Sequence, residues 1–353
     1  MASPANGAEG LLRAAQGGQA LGARAGDQGL DAGVQERRLL PDPGQLSCPL
    51  EEGIVEVQRR PHLASYARMM QMSQPRRDEG AFAGARGVAI HWERAEPDGM
   101  PRGVVLLSHG YAEHVGRYRN FVAHLNGRGL AVAGIDHRGH GLSGGPRGHC
   151  GRFGELVADL RTLADMAEAW WPGAPRVLFG HSLGGLLAFV YLLHHPDTVR
   201  AGVLSGPAFR VPDAAPRALQ LAALLLGRIV PRVAFATKLD ERLLSRDPAV
   251  GAAYVADPLV HRRATAGLFR AVRAAQAEAF AGAADLRVPL LIFQGEVDGL
   301  VDPAGTRALA ARITCVHEFV MLPGYYHELL NEPPAERAVV LEMLDRWCDR
   351  WLT

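Results

Sequence analysis

The chain has no marked excess of charge of either sign. Its 353 residues include 38 lysines and arginines and 37 aspartates and glutamates. Binding to DNA or RNA needs a concentrated basic face, because the neutralisation of phosphates supplies most of the affinity. The balanced charge therefore argues against a nucleic-acid partner.

Closely spaced cysteines, long apolar runs and targeting signals are absent from the sequence too. The four cysteines are scattered, at Cys48, Cys150, Cys315 and Cys348, which argues against a metal knuckle and a disulfide framework. No apolar stretch reaches the roughly 18 residues needed to span a bilayer, and the N-terminal region lacks the apolar core of a secretory signal. We therefore expect a cytoplasmic protein whose contact with membranes is at most peripheral.

Residues 1–75 form a separate compositional segment. They are rich in Ala, Gly, Arg and Gln and show no sustained apolar periodicity, which predicts a disordered N-terminal extension. A natural start at Met69, Met70 or Met72 is an alternative interpretation that the sequence leaves open. From Gly87 onward, alternating apolar residues predict a half-buried strand, so we expect the folded part of the chain to begin near this point.

The folded part alternates two kinds of segment. Over residues 76–209 and again over 286–353, strands that are apolar throughout alternate with amphipathic helices. This alternation predicts an α/β protein with a mostly parallel sheet covered by helices on both faces. Residues 210–285 interrupt it with an Ala- and Leu-rich stretch that has helical periodicity and no strand pattern. We interpret this stretch as a helical cap inserted between core strands.

One short stretch predicts a reactive serine. Residues 176–185 end in Gly-His-Ser-Leu-Gly-Gly, which predicts a strand that turns sharply into a helix. Gly180 and Gly184 leave room for the neighbouring backbone at such a turn. A serine at its apex would lie at a helix N-terminus, where free N–H groups favour developing negative charge. Ser182 is therefore the candidate nucleophile, although an ordinary glycine-rich turn has the same local pattern.

The candidate base and acid follow two later strands of the predicted sheet. Functional side chains of an open α/β sheet gather beyond the carboxyl ends of its strands, and a serine nucleophile needs both groups. His327 follows the strand predicted at 316–322 and is the candidate base, whereas His317 lies at the amino end of that strand. Three carboxylates follow the strand predicted at 289–294: Glu296, Asp298 and Asp302. Their positions alone do not decide which of them is the acid.

Several blocks of the sequence resemble the monoacylglycerol lipase branch of the serine α/β-hydrolases. They are HGYAEHVGRY at 109–118, DHRGHGLS at 136–143, GHSLGG at 180–185, LSRDP at 244–248 with DPLV at 257–260, and YHE at 326–328 with NE at 331–332. The resemblance covers about residue 80 to the C-terminus, and the order serine, acid, histidine is that of the α/β-hydrolases. It implies an α/β-hydrolase fold with an inserted helical cap, and a hydrolase that needs no cofactor.

The resemblance also assigns the catalytic roles. Carried over residue by residue, it makes Asp298, three positions after Gly295, the acid. Ser182 would attack an ester carbonyl, and His327 would take its proton and return it to the leaving glycerol. Asp298 would orient the imidazole and stabilise its charged form, and water would then release the fatty acid.

Two backbone N–H groups are expected to bind the oxyanion. One belongs to Leu183, next to the nucleophile, and the other to Tyr111, in the loop after His109-Gly110. Tyr111 departs from the family pattern, which usually has a smaller residue or a leucine at this position. The backbone donor does not depend on the side chain, but the shape of the pocket near the scissile bond does.

Other polar residues near these motifs have less specific interpretations. Glu113 and Arg117 are able to bind polar groups of a substrate, but a buried pair that braces the loop is the favoured interpretation. His181, beside the nucleophile, is expected to pack against its neighbours. Two histidine pairs suggest a metal at first sight: His109 with His114, and His137 with His140. Because neither pair lies on a predicted helix and no third ligand is evident, we expect no metal.

The expected function is hydrolysis of the ester bond of monoacylglycerols or similar single-chain lipid esters, through an acyl-enzyme on Ser182. A lysophospholipase or general carboxylesterase with the same triad is the main alternative, because the cap determines the choice of substrate. Proline iminopeptidase activity is less favoured, because the acidic groups that would bind a free amine are not identifiable. A non-catalytic receptor with this fold is a further alternative. The sequence leaves the oligomeric state open.

Overall fold

An eight-stranded sheet lies at the centre of the fold. The computed structural model describes residues 76–212, 217–237 and 239–352. Within these residues the strands are β1 (Arg76–Ala83), β2 (Ala89–Glu96), β3 (Gly103–Ser108), β4 (Leu130–Ile135), β5 (Arg176–His181), β6 (Ala201–Ser205), β7 (Ala234–Ala236), β8 (Arg263–Thr265), β9 (Leu290–Gly295) and β10 (His317–Leu322). The large sheet has the order β1-β2-β4-β3-β5-β6-β9-β10, and β7 pairs separately with β8.

Most of the large sheet is parallel. Each pair of neighbours from β4 to β10 runs parallel, whereas β2 runs antiparallel to both β1 and β4. Strands β3, β4, β6 and β9 are buried along their whole length, as expected for parallel strands that are covered on both faces. The predicted α/β architecture with a mostly parallel sheet is therefore confirmed.

Helices cover both faces of this sheet. In the described part of the chain they are α1 (Arg119–Gly127), α2 (Phe153–Trp170), α3 (Leu183–His194), α4 (Arg217–Ile229), α5 (Pro248–Ala256), α6 (Ala266–Gly282), α7 (Pro303–Ala310) and α8 (Pro334–Trp351). Val104 and Leu106 of β3 belong to one core cluster with α2, α3 and α6, whereas Val105 and Leu107 belong to another with α1 and α8. The two-residue period of the strand thus separates two layers of core. Among the described residues, no helix is long and apolar enough to cross a bilayer.

The first strand begins earlier than the sequence pattern indicates. β1 pairs with β2 along its full length, from Arg76 opposite Glu96 to Ala83 opposite Ala89. Because β1 is an edge strand with exposed or half-buried side chains, it lacks the apolar alternation by which a sequence reveals a strand. The expected beginning near Gly87 is therefore too late by one strand. The extension expected over residues 1–75 lies outside the described residues.

The stretch interpreted as a helical cap contains more than helices. Residues 210–285 include α4, α5 and α6, as the periodicity predicts, but also the three-residue strands β7 and β8. The sequence shows no strand pattern here, because three residues are too few to produce one. α6 packs into the core through Leu268, Ala271 and Ala275, which are almost fully buried. The division of the chain into core and cap at 210 and 286 stays a prediction.

Candidate active site

The candidate nucleophile lies at a strained turn. β5 ends at His181 and α3 begins at Leu183, so Ser182 alone forms the apex. Its φ of 54° and ψ of −118° lie in a region that residues with side chains rarely adopt. A Cβ atom on Gly180 would collide with the carbonyl oxygen of Gly184, and one on Gly184 with carbonyl oxygens at the end of β3. The predicted strand, sharp turn and helix, and the need for both glycines, are confirmed.

Backbone hydrogen bonds hold this apex in place. The N–H of Ser182 donates to the carbonyl of Ser205, at the end of β6, over 3.0 Å. The carbonyl of Ser182 accepts from the N–H groups of Gly185 (2.9 Å), Leu186 (3.1 Å) and Ala208 (2.9 Å). Backbone strain persists only where the surroundings over-determine it. These bonds supply that constraint and fix the serine at the N-terminus of α3.

The candidate base is paired with one of the three candidate acids. His327 Nδ1 lies 2.7 Å from Asp298 Oδ2, and both side chains are buried. Asp298 also accepts from the N–H groups of Leu300 and Val301 and from Gln294 Nε2, each over 2.9 Å. The carboxylate is therefore held by donors from its own loop and from the end of β9.

The other two carboxylates of this loop have different positions. Glu296 is exposed to solvent. Asp302 accepts from the N–H of Ala304 over 2.9 Å and so caps the N-terminus of α7, which is a common structural role of aspartate. The structure thus brings Asp298, and neither Glu296 nor Asp302, to His327. The catalytic role of Asp298 stays a prediction.

The electrostatics of the pair favour a charged acid and a basic imidazole. Burial alone would raise the pKa of Asp298, but the nearby His327 and the backbone donors lower it overall. Burial alone would lower the pKa of His327, but the Asp298 carboxylate raises it above its ordinary value of 6.5. A raised pKa makes the imidazole a better proton acceptor near neutral pH.

Ser182 and His327 line one cavity of about 520 Å³. Much of its wall is apolar. The aliphatic side chains that line it are Leu183, Ala208, Val211, Leu239, Leu244, Leu268, Val272, Leu300 and Val301. A largely apolar pocket with a few polar groups is typical of a site for a small, mainly apolar ligand.

Both residues expected to form the oxyanion hole line this cavity. Leu183 is the first residue of α3, so its N–H has no acceptor within the helix. Tyr111 follows Gly110, whose N–H donates to Glu113 Oε1 over 2.6 Å. The next residue, Ala112, has a φ of 65°, so the loop turns sharply there. The structure brings both residues to the cavity, and the role of their N–H groups as oxyanion donors stays a prediction.

The side chain of Tyr111 contacts the segment around β7 and β8. Its hydroxyl donates to the carbonyl of Arg263 over 2.7 Å and lies 3.1 Å from Thr237 Oγ1. The carbonyl of Ala112 accepts from the N–H of His261 over 3.1 Å. The residue that departs from the family pattern therefore ties the candidate oxyanion loop to the cap region. No signal in the sequence identifies these partners.

A buried ionic network lies beside the cavity. Arg117 donates to Glu113 over 2.6 Å and to Glu328 over 2.8 and 3.1 Å, and Tyr118 donates to Glu113 over 2.6 Å. Burial alone would raise the pKa of Glu328, but Arg117 lowers it overall. The expected pairing of Glu113 with Arg117 is confirmed. Both residues also line the cavity, so their binding to polar groups of a substrate stays an alternative. The sequence analysis missed Glu328. Its place directly after His327, in the YHE block that resembles the family, is the signal that could have identified it.

His181 packs beside the candidate base, as expected. Its Nδ1 lies 2.9 Å from the carbonyl oxygen of Ser205, and its ring centroid lies 4.7 Å from that of His327. Burial, and secondly the neighbouring His327, lower its pKa to about 4. The ring is therefore neutral near pH 7 and donates from Nδ1 to the carbonyl.

Histidines of the two pairs considered as metal ligands contact other parts of the chain. His114 Nε2 lies 2.8 Å from Asp257 Oδ2, in the segment between α5 and β8. His109 Nε2 accepts from the N–H of His137 over 2.9 Å, and His109 Nδ1 lies 2.7 Å from the carbonyl oxygen of Gly110. These contacts fix the shape of the loops after β3 and β4.

Comparison with known proteins gives a family match and close relatives. The family model described as serine aminopeptidase, S33, matches residues 99–334. A monoacylglycerol lipase of Mycolicibacterium smegmatis is 43% identical over 77% of this chain and 96% of its own length. The monoglyceride lipase of Homo sapiens is 30% identical over 80% of this chain and 94% of its own length.

A solved structure agrees with these relatives. The crystal structure of Paleococcus ferrophilus monoacylglycerol lipase superposes with a TM-score of 0.65 and 34% sequence identity. The match covers 73% of this chain and 97% of that one. The α/β-hydrolase fold implied by the sequence resemblance is therefore confirmed.

Proposed function

We propose that this chain cleaves monoacylglycerols to a fatty acid and glycerol, because it belongs to the monoacylglycerol lipase family of serine α/β-hydrolases. One observation carries the proposal: Ser182, at a strained turn, shares an apolar cavity with His327, which pairs with Asp298 over 2.7 Å. A nucleophile, an oriented base and room for an apolar chain are the parts that this reaction needs.

In the acylation step, His327 accepts the proton of Ser182 while the serine oxygen attacks the ester carbonyl. Asp298 holds Nδ1 of the imidazole, so that Nε2 is the nitrogen that exchanges the proton, and it stabilises the imidazolium that forms. His327 then gives the proton to the glycerol oxygen as the carbon–oxygen bond breaks. Glycerol leaves, and the acyl group stays on Ser182 as an ester.

In the deacylation step, His327 accepts a proton from water, which attacks the acyl ester. The fatty acid leaves and the proton returns to Ser182. In both steps the carbonyl oxygen becomes negatively charged and accepts from the N–H groups of Leu183 and Tyr111. Each preorganised donor of this kind lowers the barrier by about 3 kcal/mol.

The charges near the site favour an ester substrate over a peptide with a free amino group, despite the peptidase description of the family model. Of the described residues that line the cavity, Glu113 and Glu328 carry the carboxylates. Both already accept hydrogen bonds from Arg117, so neither carboxylate is without a partner. A terminal ammonium would need a carboxylate free to pair with it.

The proposal extends to peripheral contact with lipid surfaces through α4. Leu221, Leu225 and Ile229 follow one another at four-residue spacing, which places them on one face of the helix. Their side chains are 62%, 63% and 77% exposed, and Phe235 of β7 is 44% exposed. An apolar face of this kind suits insertion into the boundary between head groups and acyl chains, where monoacylglycerols also reside.

Co-sedimentation with phosphatidylcholine vesicles tests this contact. Replacing Leu225 and Ile229 together by glutamine should lower the bound fraction several-fold, because two apolar side chains are lost from the contact. Val316→Gln is the matched control, since Val316 is 44% exposed and lies outside the cap region. Equal binding by both variants would show that α4 is not the contact.

Hydrolysis of a matched substrate set tests the proposed activity. Purified protein is compared with Ser182→Ala on monoacylglycerols of rising chain length, di- and triacylglycerols, a lysophospholipid, a short p-nitrophenyl ester and a proline anilide. Preference for monoacylglycerols supports the proposal. Preference for the lysophospholipid, or turnover of the short ester alone, would instead indicate the lysophospholipase or general carboxylesterase alternative. No turnover would favour a receptor.

A further inference from the structure

A second group of reactive side chains lies on β1 and β2, at the edge of the sheet. Glu79 of β1 is the direct cross-strand partner of Glu93 of β2. His91 lies two residues before Glu93, so its side chain is on the same face of the strand. One nitrogen or oxygen atom from each of these three residues lies within 4.8 Å of the others. Three groups able to bind a metal therefore converge at one point.

The facing glutamates are unfavourable as they stand. Like charges that are directly opposite on antiparallel strands destabilise the pair. Glu79 is exposed, and its carboxylate faces Glu93 from the outer strand. A cation between the two carboxylates would replace this repulsion by attraction.

His91 has a ring nitrogen that makes no hydrogen bond. The residue is only 9% exposed, and its Nε2 has no hydrogen-bond partner. The nearest oxygen of Glu93 lies 3.7 Å away, which is beyond hydrogen-bonding distance. The backbone N–H of His91 donates to Ser143 Oγ over 2.8 Å and fixes the residue in the strand. This nitrogen is therefore within ion-pair distance of Glu93 but makes no hydrogen bond.

We propose that Glu79, His91 and Glu93 bind one Zn²⁺ ion, which ties the edge strand β1 to β2. Imidazole nitrogen and carboxylate oxygen are common zinc ligands, and a site with three protein ligands keeps a position for water. Tetrahedral ligands around zinc lie about 3.4 Å apart, so the side chains must approach slightly. Glu79 is exposed and is free to rotate inward.

The position in the sheet makes this site structural rather than catalytic. β2 and β5 are separated by β4 and β3, so the site lies about 14 Å from the strand that leads to Ser182. The site does not depend on the proposed hydrolysis. Mg²⁺ and Ca²⁺ prefer all-oxygen sites, so we expect them to bind this group much more weakly than Zn²⁺.

Isothermal titration of the tag-free, EDTA-treated full chain with Zn²⁺ tests the proposal. We expect one Zn²⁺ per chain at this site and an affinity at least about tenfold lower in Glu79→Gln. Glu318→Gln is the matched control, because Glu318 is also an exposed glutamate on an edge strand, β10. Its Zn²⁺ affinity should equal that of the wild type. Absence of Zn²⁺ binding, or equal binding by Glu79→Gln and the wild type, would overturn the proposal.

Thermal unfolding with and without Zn²⁺ separates a ligand from a merely structural glutamate. Zn²⁺ should raise the Tm of the wild type, since it binds only the folded chain. Glu79→Gln removes one of two facing charges, so its metal-free Tm should be equal to or higher than that of the wild type, while its response to Zn²⁺ is lost. His91→Gln should lose the response too. A Zn²⁺ response that persists in both variants would assign the binding to other histidines and reject this site.

Discussion

Arg117 donates two hydrogen bonds to Glu328, the residue that follows His327, over 2.8 and 3.1 Å. The same guanidinium donates to Glu113, whose other oxygen accepts from the N–H of Gly110. One side chain therefore joins the loop of the proposed oxyanion hole to the loop of the candidate base. This connection makes the stability of the fold and the geometry of the site depend on a single buried cation.

Arg117→Met should destabilise the protein by about 3–5 kcal/mol, because it leaves two buried carboxylates without a counter-charge. Urea unfolding followed by circular dichroism measures the change. Arg242→Met is the control, since Arg242 pairs with Asp240 at the surface, where an ion pair contributes at most about 1 kcal/mol. Similar losses of stability in Arg117→Met and Arg242→Met would mean that the buried network stabilises the fold no more than a surface ion pair does.

Two substitutions of Ser182 should separate the catalytic role of its hydroxyl from the backbone strain at this position. Ser182→Ala and Ser182→Gly should both lower kcat for an ester about a thousandfold or more. Glycine accepts the φ of 54° that serine adopts here at a cost, so Ser182→Gly should be about 1 kcal/mol more stable than Ser182→Ala. Differential scanning calorimetry measures this difference. Residual activity above a thousandth of wild type would indicate another nucleophile.

The pH dependence of hydrolysis should report the Asp298–His327 pair. His327 must be neutral to act as a base, so kcat/KM should rise with pH through its pKa, which lies above 6.5 in the folded protein. Asp298→Asn removes the charge that raises this pKa, so the acidic limb of the profile should move to lower pH while the rate falls about a thousandfold or more.

Asp302→Asn is the matched control for that experiment, because Asp302 belongs to the same loop and caps α7. It should leave the pH profile in place and the rate within a few-fold of wild type, with a stability loss below about 1 kcal/mol. A shift of the profile in Asp302→Asn, with none in Asp298→Asn, would identify Asp302 as the acid.

Tyr111→Phe should affect catalysis through the cap region. It keeps the backbone N–H but removes the hydroxyl that donates to the carbonyl of Arg263. Because this bond is exposed and water can replace the donor, its loss should cost about 0.5–1.5 kcal/mol. We expect lower stability and a kcat reduced several-fold with little change in KM. Thr237→Val, which removes only the 3.1 Å contact, should have a smaller effect. An unchanged kcat in Tyr111→Phe would show that the hydrogen bond to Arg263 does not position the candidate oxyanion loop.

The parts of the site that the sequence predicts depend on local geometry. The turn at Ser182 needs glycine at 180 and 184, because carbonyl oxygens occupy the space of a Cβ atom there. The six residues 180–185 are therefore enough to predict the turn from the sequence. The apolar strands that carry the loops are visible for a similar reason, since burial on both faces leaves no polar positions in β3, β4 and β9.

The parts that the sequence does not predict depend on distant contacts or short elements. The role of Glu328 becomes evident only from its hydrogen bonds with Arg117, which is 211 residues away along the chain. The choice of Asp298 over Glu296 depends on the loop after β9, which directs one carboxylate inward and the other to solvent. β1 is missed because edge strands need no apolar face.

The bonds of Tyr111 and Ala112 to the segment around β8 also restrict how a lipid reaches the cavity. If that side of the cap lifted away, the hydroxyl bond to Arg263 and the bond from His261 to Ala112 would break, and the candidate oxyanion donor would have to be repositioned in every turnover. Movement of the segment around β8 would therefore disturb the candidate oxyanion loop. A substitution that loosens these contacts should therefore change the mobility of this segment and the geometry of the loop together.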